Sequence, residues 1–331
     1  MIDCLSNPEW LNPQMDFLFF LQNIRVNSSI IFDKLFLTIT IFGEIWLPTL
    51  ICSIIYWCID FEIGVYLLSL ESFNRFVAHF FKMIACVYRP WVLDNRIQPS
   101  ELAVPFAKGY SFPSGHSAMS SSVFGGIAYL LRKNKLVSIS LICLVLLIGF
   151  SRLWLGVHTP QDVICGLLIG VVLVFTVESM VTWAEKDSKR YIYLLAIINI
   201  LVLSALVYTY FFATYRMDYV SGILLVDPQK LRYVNVVEFG YALGLINGCY
   251  LCKRYFPFNP KDSSVKQRVI RGLIGAIGII ILTKFLFGYI LMNCIRIRYA
   301  LTITFLIGIT ITLIYPIIFT KLTEKYNHSK S

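Results

Sequence analysis

The sequence is short of charged residues. They make up 15% of its 331 residues, whereas hydrophobic residues make up 57%. An ordinary soluble domain has about a quarter charged residues. This shortage excludes a soluble globular protein. The long apolar runs instead predict an all-α fold, a polytopic membrane helix bundle that lies in the lipid bilayer.

Acidic residues are scarce relative to basic ones. The chain has 19 Asp and Glu against 29 Lys and Arg, a formal net charge of +10. In a soluble chain this excess would suggest nucleic acid or an acidic surface as a partner. Here the positions of Lys and Arg between apolar segments explain most of the excess, so no nucleic-acid partner is expected.

The sequence also lacks the pattern of a disulfide framework and that of a cleaved signal peptide. Its nine cysteines are an odd number, and most of them fall in or beside apolar runs, where cysteine is usually a small hydrophobic residue. Cys249 and Cys252 have the CxxC spacing, but inside an apolar run packing is the better interpretation. No basic segment with a short apolar core and a small-residue cleavage site occurs at the N-terminus, so no removed signal peptide is expected.

About nine apolar segments are predicted to span the membrane. Residues 1–28 precede them, and the short run Met15–Ile24 is expected to lie at the interface. The predicted spans are roughly 36–59, 63–87, 114–131, 136–155, 160–183, 191–213, 236–251, 273–295 and 299–320.

Basic residues are concentrated in four places: the loops Arg132–Lys135, Lys186–Arg190 and Lys253–Arg271, and the tail that follows Lys321. With nine alternating spans, all four lie on one side, which the positive-inside rule makes cytoplasmic. The loops that hold Arg89, His116 and His158 then lie on the other side. This predicts a protein of the cell (inner) membrane whose site faces the extracytoplasmic side.

One cationic pair stands at the outer end of the second predicted span. Lys82 and Arg89 are seven positions apart, two helical turns, and so project from one face. An anion between them would remove their mutual repulsion, because Arg offers a planar fork of donors and Lys a compact charge. Lys and Arg near a helix end are more often anchors at the membrane interface, so this pair alone does not define a site.

Two histidine clusters follow, each at the start of a predicted span. In the first, Pro113 to His116, Ser114 can cap the helix or donate to an oxygen, and Gly115 lets backbone approach a bound anion at the helix N-terminus. A capped helix with a structural histidine is the plainer alternative for that cluster.

In the second cluster, Thr159 is expected to be an N-cap and Pro160 the first helical residue. Asp162 lies four residues after His158 and can accept a hydrogen bond from one ring nitrogen, leaving the other as a nucleophile. The alternative for Asp162 is a first-turn acid that complements the helix dipole. Arg152 at the end of the preceding span offers further donors to an oxyanion.

These three clusters resemble the signatures of the type 2 phosphatidic acid phosphatase superfamily, which are Lys-x6-Arg-Pro, Pro-Ser-Gly-His and Ser-Arg-x5-His-x3-Asp. Here they stand as Lys82–Pro90, Pro113–His116 and Ser151–Asp162. That superfamily includes vanadium haloperoxidases and is similar in its motifs to glucose-6-phosphatase. The resemblance implies a metal-independent phosphohydrolase that uses no cofactor.

The resemblance also implies a role for each residue. His158 would be the nucleophile and form a phosphohistidine, Asp162 would orient its ring, and His116 would be the general acid and base. Five residues would bind the phosphate oxygens and stabilise the transition state: Lys82, Arg89, Ser114, Gly115 and Arg152.

By this resemblance residues 29–185 form the catalytic phosphatase core and residues 186–331 a C-terminal transmembrane extension of unknown role. Membrane members of the superfamily usually have six spans in the core, whereas five are predicted before Lys186. The sixth would come from Met15–Ile24 or from the span after Tyr191.

The leading interpretation is an integral-membrane lipid phosphatase or diphosphatase with an extracytoplasmic site. Its substrate would be a membrane lipid phosphate, with undecaprenyl diphosphate as the first expectation. A lipid phosphotransferase that uses the same intermediate is one alternative. A non-catalytic, transporter-like membrane protein is another, because four ionisable residues lie in predicted spans: Glu71, Arg75, His79 and Lys284.

Overall fold

The computed structural model describes residues 9–44, 46–107, 109–215, 217–220, 223–256, 258–286, 289–290 and 296–328. Residues 1–8 of the predicted N-terminal segment lie outside these ranges. The side chain of Lys284 lies outside the description as well.

The described chain is almost entirely helical, which confirms the all-α prediction. The helices are α1 (Asn12–Val26), α2 (Ile30–Thr40), α3 (Trp46–Ile54), α4 (Phe61–Ala85), α5 (Pro90–Leu93), α6 (Gly115–Leu130), α7 (Lys135–Trp154), α8 (Pro160–Glu185), α9 (Ser188–Val207), α10 (Pro228–Tyr255), α11 (Val265–Ile279), α12 (Ile297–Ile309) and α13 (Tyr315–His328). Two short antiparallel strands, β1 (Tyr219–Val220) and β2 (Ile223–Leu224), pair with each other.

Polar residues at the helix starts explain several of these boundaries. The side chain of Ser29 accepts a hydrogen bond from the backbone of Ile31 at the start of α2, and Asn134 and Asp187 cap α7 and α9 in the same way. At α11, Ser264 and Gln267 form a reciprocal capping box. Each cap satisfies backbone N–H groups that have no partner within the helix.

Five described helices are long and apolar enough to cross a membrane: Phe61–Leu93, Lys135–Trp154, Pro160–Glu185, Lys189–Phe212 and Ile297–Leu322. A sixth span results if the helix pair Ile30–Gly43 and Trp46–Ile59 is one broken span. The count of nine is therefore not confirmed. Helix α6 has only 16 residues, α10 is too polar, and the predicted span 273–295 lies partly outside the described residues.

The chain forms two compact units. Unit 1 comprises Met1–Glu44, Val77–Val174 and Thr209–Arg232, and unit 2 comprises Ile45–Phe76, Phe175–Tyr208 and Tyr233–Ser331. These units are defined by contacts within the structure. The predicted functional regions, with boundaries at residues 28 and 185, are defined differently and stay a prediction.

Within unit 1, helix α1 is part of the packed interior. Met15 and Leu18 of this helix, together with Leu11 just before it, are buried in one cluster with Ile97. A second cluster joins Tyr88 and Tyr110 to Val226, which belongs to the segment that follows α9. A part of the predicted C-terminal extension thus packs in the same unit as the motif-bearing loops.

Within unit 2, helices α10 and α12 approach closely. A Cβ atom added to Gly244 would lie 2.1 Å from the carbonyl oxygen of Phe305, so only glycine fits there. Tyr56 and Trp57 donate hydrogen bonds of 2.8 and 3.0 Å to carbonyl oxygens of a π-helical turn, Thr310–Ile314. These donors satisfy backbone groups that lipid could not.

Candidate active site

All eight predicted site residues lie in unit 1, and the structure places them at neighbouring helix ends. Lys82 is in the last turn of α4, and Arg89 immediately precedes α5. Ser114, Gly115 and His116 form the start of α6. Arg152 is in the last turn of α7. His158 lies in the loop before α8, and Asp162 is in the first turn of that helix.

The starts of α6 and α8 are joined directly. The backbone N–H of Ser114 donates a 2.9 Å hydrogen bond to the carbonyl oxygen of Asp162. A Cβ atom on Gly166 would lie 2.6 Å from the carbonyl oxygen of Ser114, so the two helices touch through backbone. Ser114 accepts from the N–H of Ser117 as an N-cap, and Thr159 accepts from the N–H of Asp162. Both predicted caps, and Pro160 as the first residue of α8, are confirmed.

The ring of His158 has its two nitrogens in different surroundings. Nε2 lies 3.0 Å from Nη1 of Arg89. Because a guanidinium can only donate, Nε2 must carry the lone pair and Nδ1 the proton. Nδ1 faces Oγ of Ser111 at 3.2 Å and Oδ2 of Asp162 at 3.4 Å. This arrangement presents Nε2 as the nucleophilic nitrogen.

Ser111 is a site residue that the sequence interpretation missed. Its hydroxyl donates a 2.5 Å hydrogen bond to Oδ2 of Asp162 while facing Nδ1 of His158. The same carboxylate oxygen accepts from the backbone N–H of Thr159 at 2.8 Å. The direct contact between Asp162 and the ring is longer than an ordinary N–H···O hydrogen bond. Ser111 therefore shares the positioning of the ring with Asp162. Its place just before the Pro113 motif was the one signal in the sequence.

Three cations converge on this site. Nζ of Lys82 donates to the carbonyl oxygens of Pro113, Tyr110 and Ser111 at 2.8, 3.1 and 3.2 Å. Arg89 also donates to the carbonyl oxygen of Val157 at 2.8 Å. These neutral acceptors orient the cations without cancelling their charge.

Arg152 has an unpaired hydrogen-bond donor among the described residues. Its Nη1 donates to Oγ1 of Thr40 at 2.8 Å, whereas its buried Nε has no hydrogen-bond partner within the described part of the chain. A buried donor without a partner is costly unless a ligand satisfies it. The three positive charges of Lys82, Arg89 and Arg152 exceed the two negative charges of Asp162 and of Glu44, which acts on Arg152, so the site attracts an anion.

The surroundings of the two histidines favour their neutral form. Burial, followed by the positive charges of Arg89 and Lys82, lowers the pKa of His158 well below its ordinary value. Burial and then the charge of Arg152 lower the pKa of His116 in the same direction. A neutral His158 can act as a nucleophile. A bound phosphate would oppose the cationic field and favour protonation of His116.

The backbone at Gly115 borders open space. A Cβ atom added there would meet no protein atom within 4 Å. The first N–H groups of a helix have no partner within the helix, and a helix N-terminus suits an anion. Packing therefore does not explain the glycine, whereas the approach of a ligand to the backbone would.

Helix α1 holds the loop that carries His158. Nη1 of Arg25 donates a 2.9 Å hydrogen bond to the carbonyl oxygen of Trp154, and Oε1 of Gln14 accepts from the N–H of Gln161 at 2.9 Å. Gly156 turns the loop between these two contacts with a φ of +68°. Sequence reasoning gave α1 no such role, because polar contacts across more than a hundred residues leave no local pattern.

The described residues contain no group of three or more His, Cys, Asp or Glu side chains that could hold a metal ion. The chemistry of the site is instead that of cations and histidines around an anion. Metal independence stays a prediction.

Two family profiles match this sequence. That of the PAP2 superfamily matches residues 62–186, and that of the PAP2 superfamily phosphatase transmembrane extension matches residues 236–327. Residues 62–186 therefore form a PAP2 superfamily domain, and residues 236–327 match its transmembrane extension. The first match includes all three motifs, and the second falls in the predicted C-terminal extension.

Curated relatives resemble part of the chain. Phosphatidylglycerophosphatase B of Bacillus subtilis is 33% identical over 118 residues, which are 33% of this chain and 55% of that protein. Undecaprenyl-diphosphatase of Sulfolobus acidocaldarius is 37% identical over 89 residues, 27% of this chain and 41% of that protein. The chain thus spans about half the length of the curated relatives it matches.

Among solved structures, a transmembrane PAP2-type phosphatidylglycerolphosphate phosphatase from Bacillus subtilis matches 54% of this chain and 89% of its own, at 22% identity and a TM-score of 0.40.

Proposed function

We propose that this membrane protein is a PAP2-type lipid phosphatase that works through a phosphohistidine at His158. The observation that carries the proposal is the position of His158 Nε2, 3.0 Å from Arg89 in a site with excess positive charge. The other ring nitrogen, Nδ1, meets Ser111 and Asp162. A nucleophile beside an oxyanion-binding cation is what attack on phosphorus requires.

The reaction follows from these contacts. The phosphate oxygens of the substrate draw the guanidinium of Arg89 away from Nε2, which frees the lone pair. Nε2 then attacks, forming the P–N bond as the P–O bond to the leaving group breaks. His116 gives the leaving oxygen a proton. In the second half, His116 takes a proton from water, and the hydroxide oxygen displaces Nε2 to release phosphate.

The cations stabilise the charge that develops on the three equatorial oxygens. Arg152 contributes its free Nε donor, Arg89 its guanidinium and Lys82 its ammonium group. Gly115 and Ser114 contribute the N-terminal turn of α6. Ser114 can donate its hydroxyl hydrogen while its oxygen still caps the helix.

The substrate class is a lipid phosphate or polyprenyl diphosphate. The protein is integral to the membrane, so a substrate with an apolar tail is concentrated where the site lies. The relatives that match include one named for undecaprenyl diphosphate and one named for phosphatidylglycerophosphate. We take undecaprenyl diphosphate as the first substrate to test.

The experiment is phosphate release by the purified full chain in detergent, with undecaprenyl diphosphate, phosphatidylglycerophosphate and phosphatidate offered separately. We expect release from at least one of them, most rapidly from undecaprenyl diphosphate, and undiminished in EDTA. Product analysis with an acceptor lipid present separates hydrolysis from phosphotransfer. Absence of phosphate release from all three lipids would overturn the proposal, and a strict requirement for a divalent metal would overturn the mechanism.

We also propose that the site opens to the extracytoplasmic side, as the distribution of basic loops predicts. Gln98 is exposed on the loop between α5 and α6. A Gln98→Cys variant should react with a membrane-impermeant maleimide in intact cells, above the background of the unmodified chain. Labelling that needs permeabilised cells would place the site on the cytoplasmic side.

A further inference from the structure

Helix α1 has an apolar stripe on its surface, in addition to the face that it buries in unit 1. The stripe consists of Phe17, Phe20 and Ile24, whose side chains are 41%, 58% and 43% exposed. They are spaced by three and then four positions, so they lie on one side of the helix. Large apolar side chains that are exposed together indicate an apolar partner.

The exposed polar residues of α1 lie on a different side of the helix. Asp16 and Asn23 are exposed and two helical turns apart, so they share this polar side. Each residue advances a helix by about 100°, which places the polar side roughly 80° from the centre of the apolar stripe and further from the buried face. Asp16 forms a 2.9 Å ion pair with Arg96 in which both side chains are exposed. The polar side is therefore suited to water.

The contacts of α1 place it where two spans leave the membrane. Arg25 donates to the carbonyl oxygen of Trp154, the last residue of α7, and Gln14 accepts from the N–H of Gln161, the second residue of α8. Both α7 and α8 are candidate membrane spans. Gln14 and Arg25 are about 16 Å apart along α1, so the helix lies across the ends of the two spans. With 15 residues it is too short to cross the apolar core, which is about 30 Å thick.

The buried face of α1 binds a second loop of unit 1. Nε2 of Gln22 donates to the carbonyl oxygen of Arg96 at 3.1 Å, and its Oε1 accepts from the N–H of Gln98 at 2.6 Å. Arg25 also donates to the carbonyl oxygen of Gln98. Since α1 binds this loop and the loop that carries His158, a contact that fixes α1 also fixes both loops.

We propose that α1 is an interfacial helix whose partner is the lipid bilayer. Its apolar stripe enters the lipid, while its polar side stays in water. Helices with these two sides bind the boundary between lipid headgroups and acyl chains. Because α1 also binds the loop of His158, the bilayer helps to position the nucleophile. This second step rests on the proposed function, whereas the contact with lipid does not.

Thiol labelling in lipid nanodiscs that each hold one chain tests the contact with lipid. Phe20→Cys places a thiol in the apolar stripe, and Asn23→Cys places one on the polar side of the same helix. A charged maleimide should label Asn23→Cys at least about tenfold faster, because a thiol surrounded by lipid ionises little. Mass spectrometry of the α1 peptide separates both positions from the native cysteines.

The other outcomes of this labelling would overturn the contact with lipid. Rapid labelling at both positions would place the apolar stripe in water, and slow labelling at both would contradict an interfacial orientation. Slow labelling of Phe20→Cys only in nanodiscs that hold two chains would assign the stripe to a second copy. The measurement needs no activity, so it stands even if the chain releases no phosphate.

Phe20→Asp tests the link between the bilayer and the nucleophile. A carboxylate in the stripe is unfavourable in lipid and should displace α1. In nanodiscs kcat should fall by about tenfold, because small misplacements of a catalytic group are costly. An activated aryl phosphate, which has no lipid tail, should show the same loss.

Two matched variants control for charge and for packing. Asn23→Asp adds the same charge on the polar side, and Phe20→Leu keeps the stripe apolar. Both should retain the wild-type kcat. Equal kcat in Phe20→Asp and the wild type would overturn the positioning role. A loss confined to KM for the lipid substrate would overturn it as well, because Phe20 would then contact the lipid tail of the substrate.

Discussion

The two units of this protein each contain a group of buried charges, and the partners of the cations differ between the two groups. In unit 1, the cations Lys82, Arg89 and Arg152 outnumber the acids Asp162 and Glu44, and the donors of Lys82 and Arg89 are directed largely at neutral carbonyl oxygens. In unit 2, two acids share Arg75 at 2.7 Å each. A site that keeps positive charge uncompensated is built to receive an anion. In unit 2 the guanidinium of Arg75 is already bound to two carboxyl groups.

The comparison also distinguishes function from stability. Breaking the ionic cluster of unit 2 should affect folding, because its charges satisfy one another in the interior. Substitutions in the cation site of unit 1 should affect substrate binding and catalysis, because its positive charges and the unpaired Nε of Arg152 are suited to a bound anion. The predictions below test this difference.

The largest effect is expected from His158→Ala. Loss of the nucleophile should lower phosphate release by at least about 10⁴-fold, since removal of a nucleophile in comparable catalytic groups costs that much. Glu71→Gln should release phosphate at close to the wild-type rate, measured in the same assay. Substantial turnover by His158→Ala would exclude the phosphohistidine.

A smaller effect, about 10² to 10⁴-fold, is expected from His116→Ala on a lipid substrate. The loss should be much less with an activated aryl phosphate, whose leaving group needs little protonation. The ratio of the two rate losses is the measurement. Equal losses on both substrates would contradict the role of His116 as general acid.

A pair of glycine substitutions separates ligand contact from packing. Gly115→Ala introduces a Cβ into open space, so the protein should keep its thermal stability while phosphate release falls, by about tenfold or more. Gly166→Ala places a Cβ 2.6 Å from the carbonyl oxygen of Ser114. It should lower the unfolding temperature. Lowered stability of Gly115→Ala with Gly166→Ala unchanged would reverse the interpretation.

Ser111→Ala should have a moderate effect. It removes the hydroxyl that donates to Asp162 and contacts Nδ1 of His158, so kcat should fall by about tenfold, the equivalent of roughly 1.4 kcal/mol. KM should change little, because Ser111 acts on the ring of His158. Ser111→Thr retains the hydroxyl and should recover most of the rate. Loss of kcat in both variants would point to packing alone.

The smallest effect concerns pH. The nucleophile must be neutral, and burial together with Arg89 lowers the pKa of His158. As pH falls, the protein should therefore retain kcat/KM to a lower pH than a histidine of ordinary pKa, about 6.5, would allow. Arg89→Gln removes a positive charge and should move the acidic limb of its residual activity to higher pH. An unmoved limb would show that Arg89 does not set the charge of His158.

Sequence reasoning identified the membrane class, the three motifs and the helix caps at Ser114 and Thr159, because these features are local. The spacing from His158 to Asp162 is one helical turn, and a cap lies within three residues of its partner. The count of nine spans is not confirmed by the described residues, because apolar composition does not show where a helix such as α6 ends or how polar α10 becomes over its full length.

What the amino-acid order determined by itself is the set of chemical groups: two histidines, three cations and an acid at the ends of helices. The fold decided which of them meet. Ser111 reaches Asp162 across 51 residues and Arg25 reaches Trp154 across 129. The fold also pairs Arg75 with Glu238, 163 residues apart in the chain. Hydrogen bonds act over about 3 Å in space, whatever the distance along the chain. Only tertiary packing could therefore assign these partners.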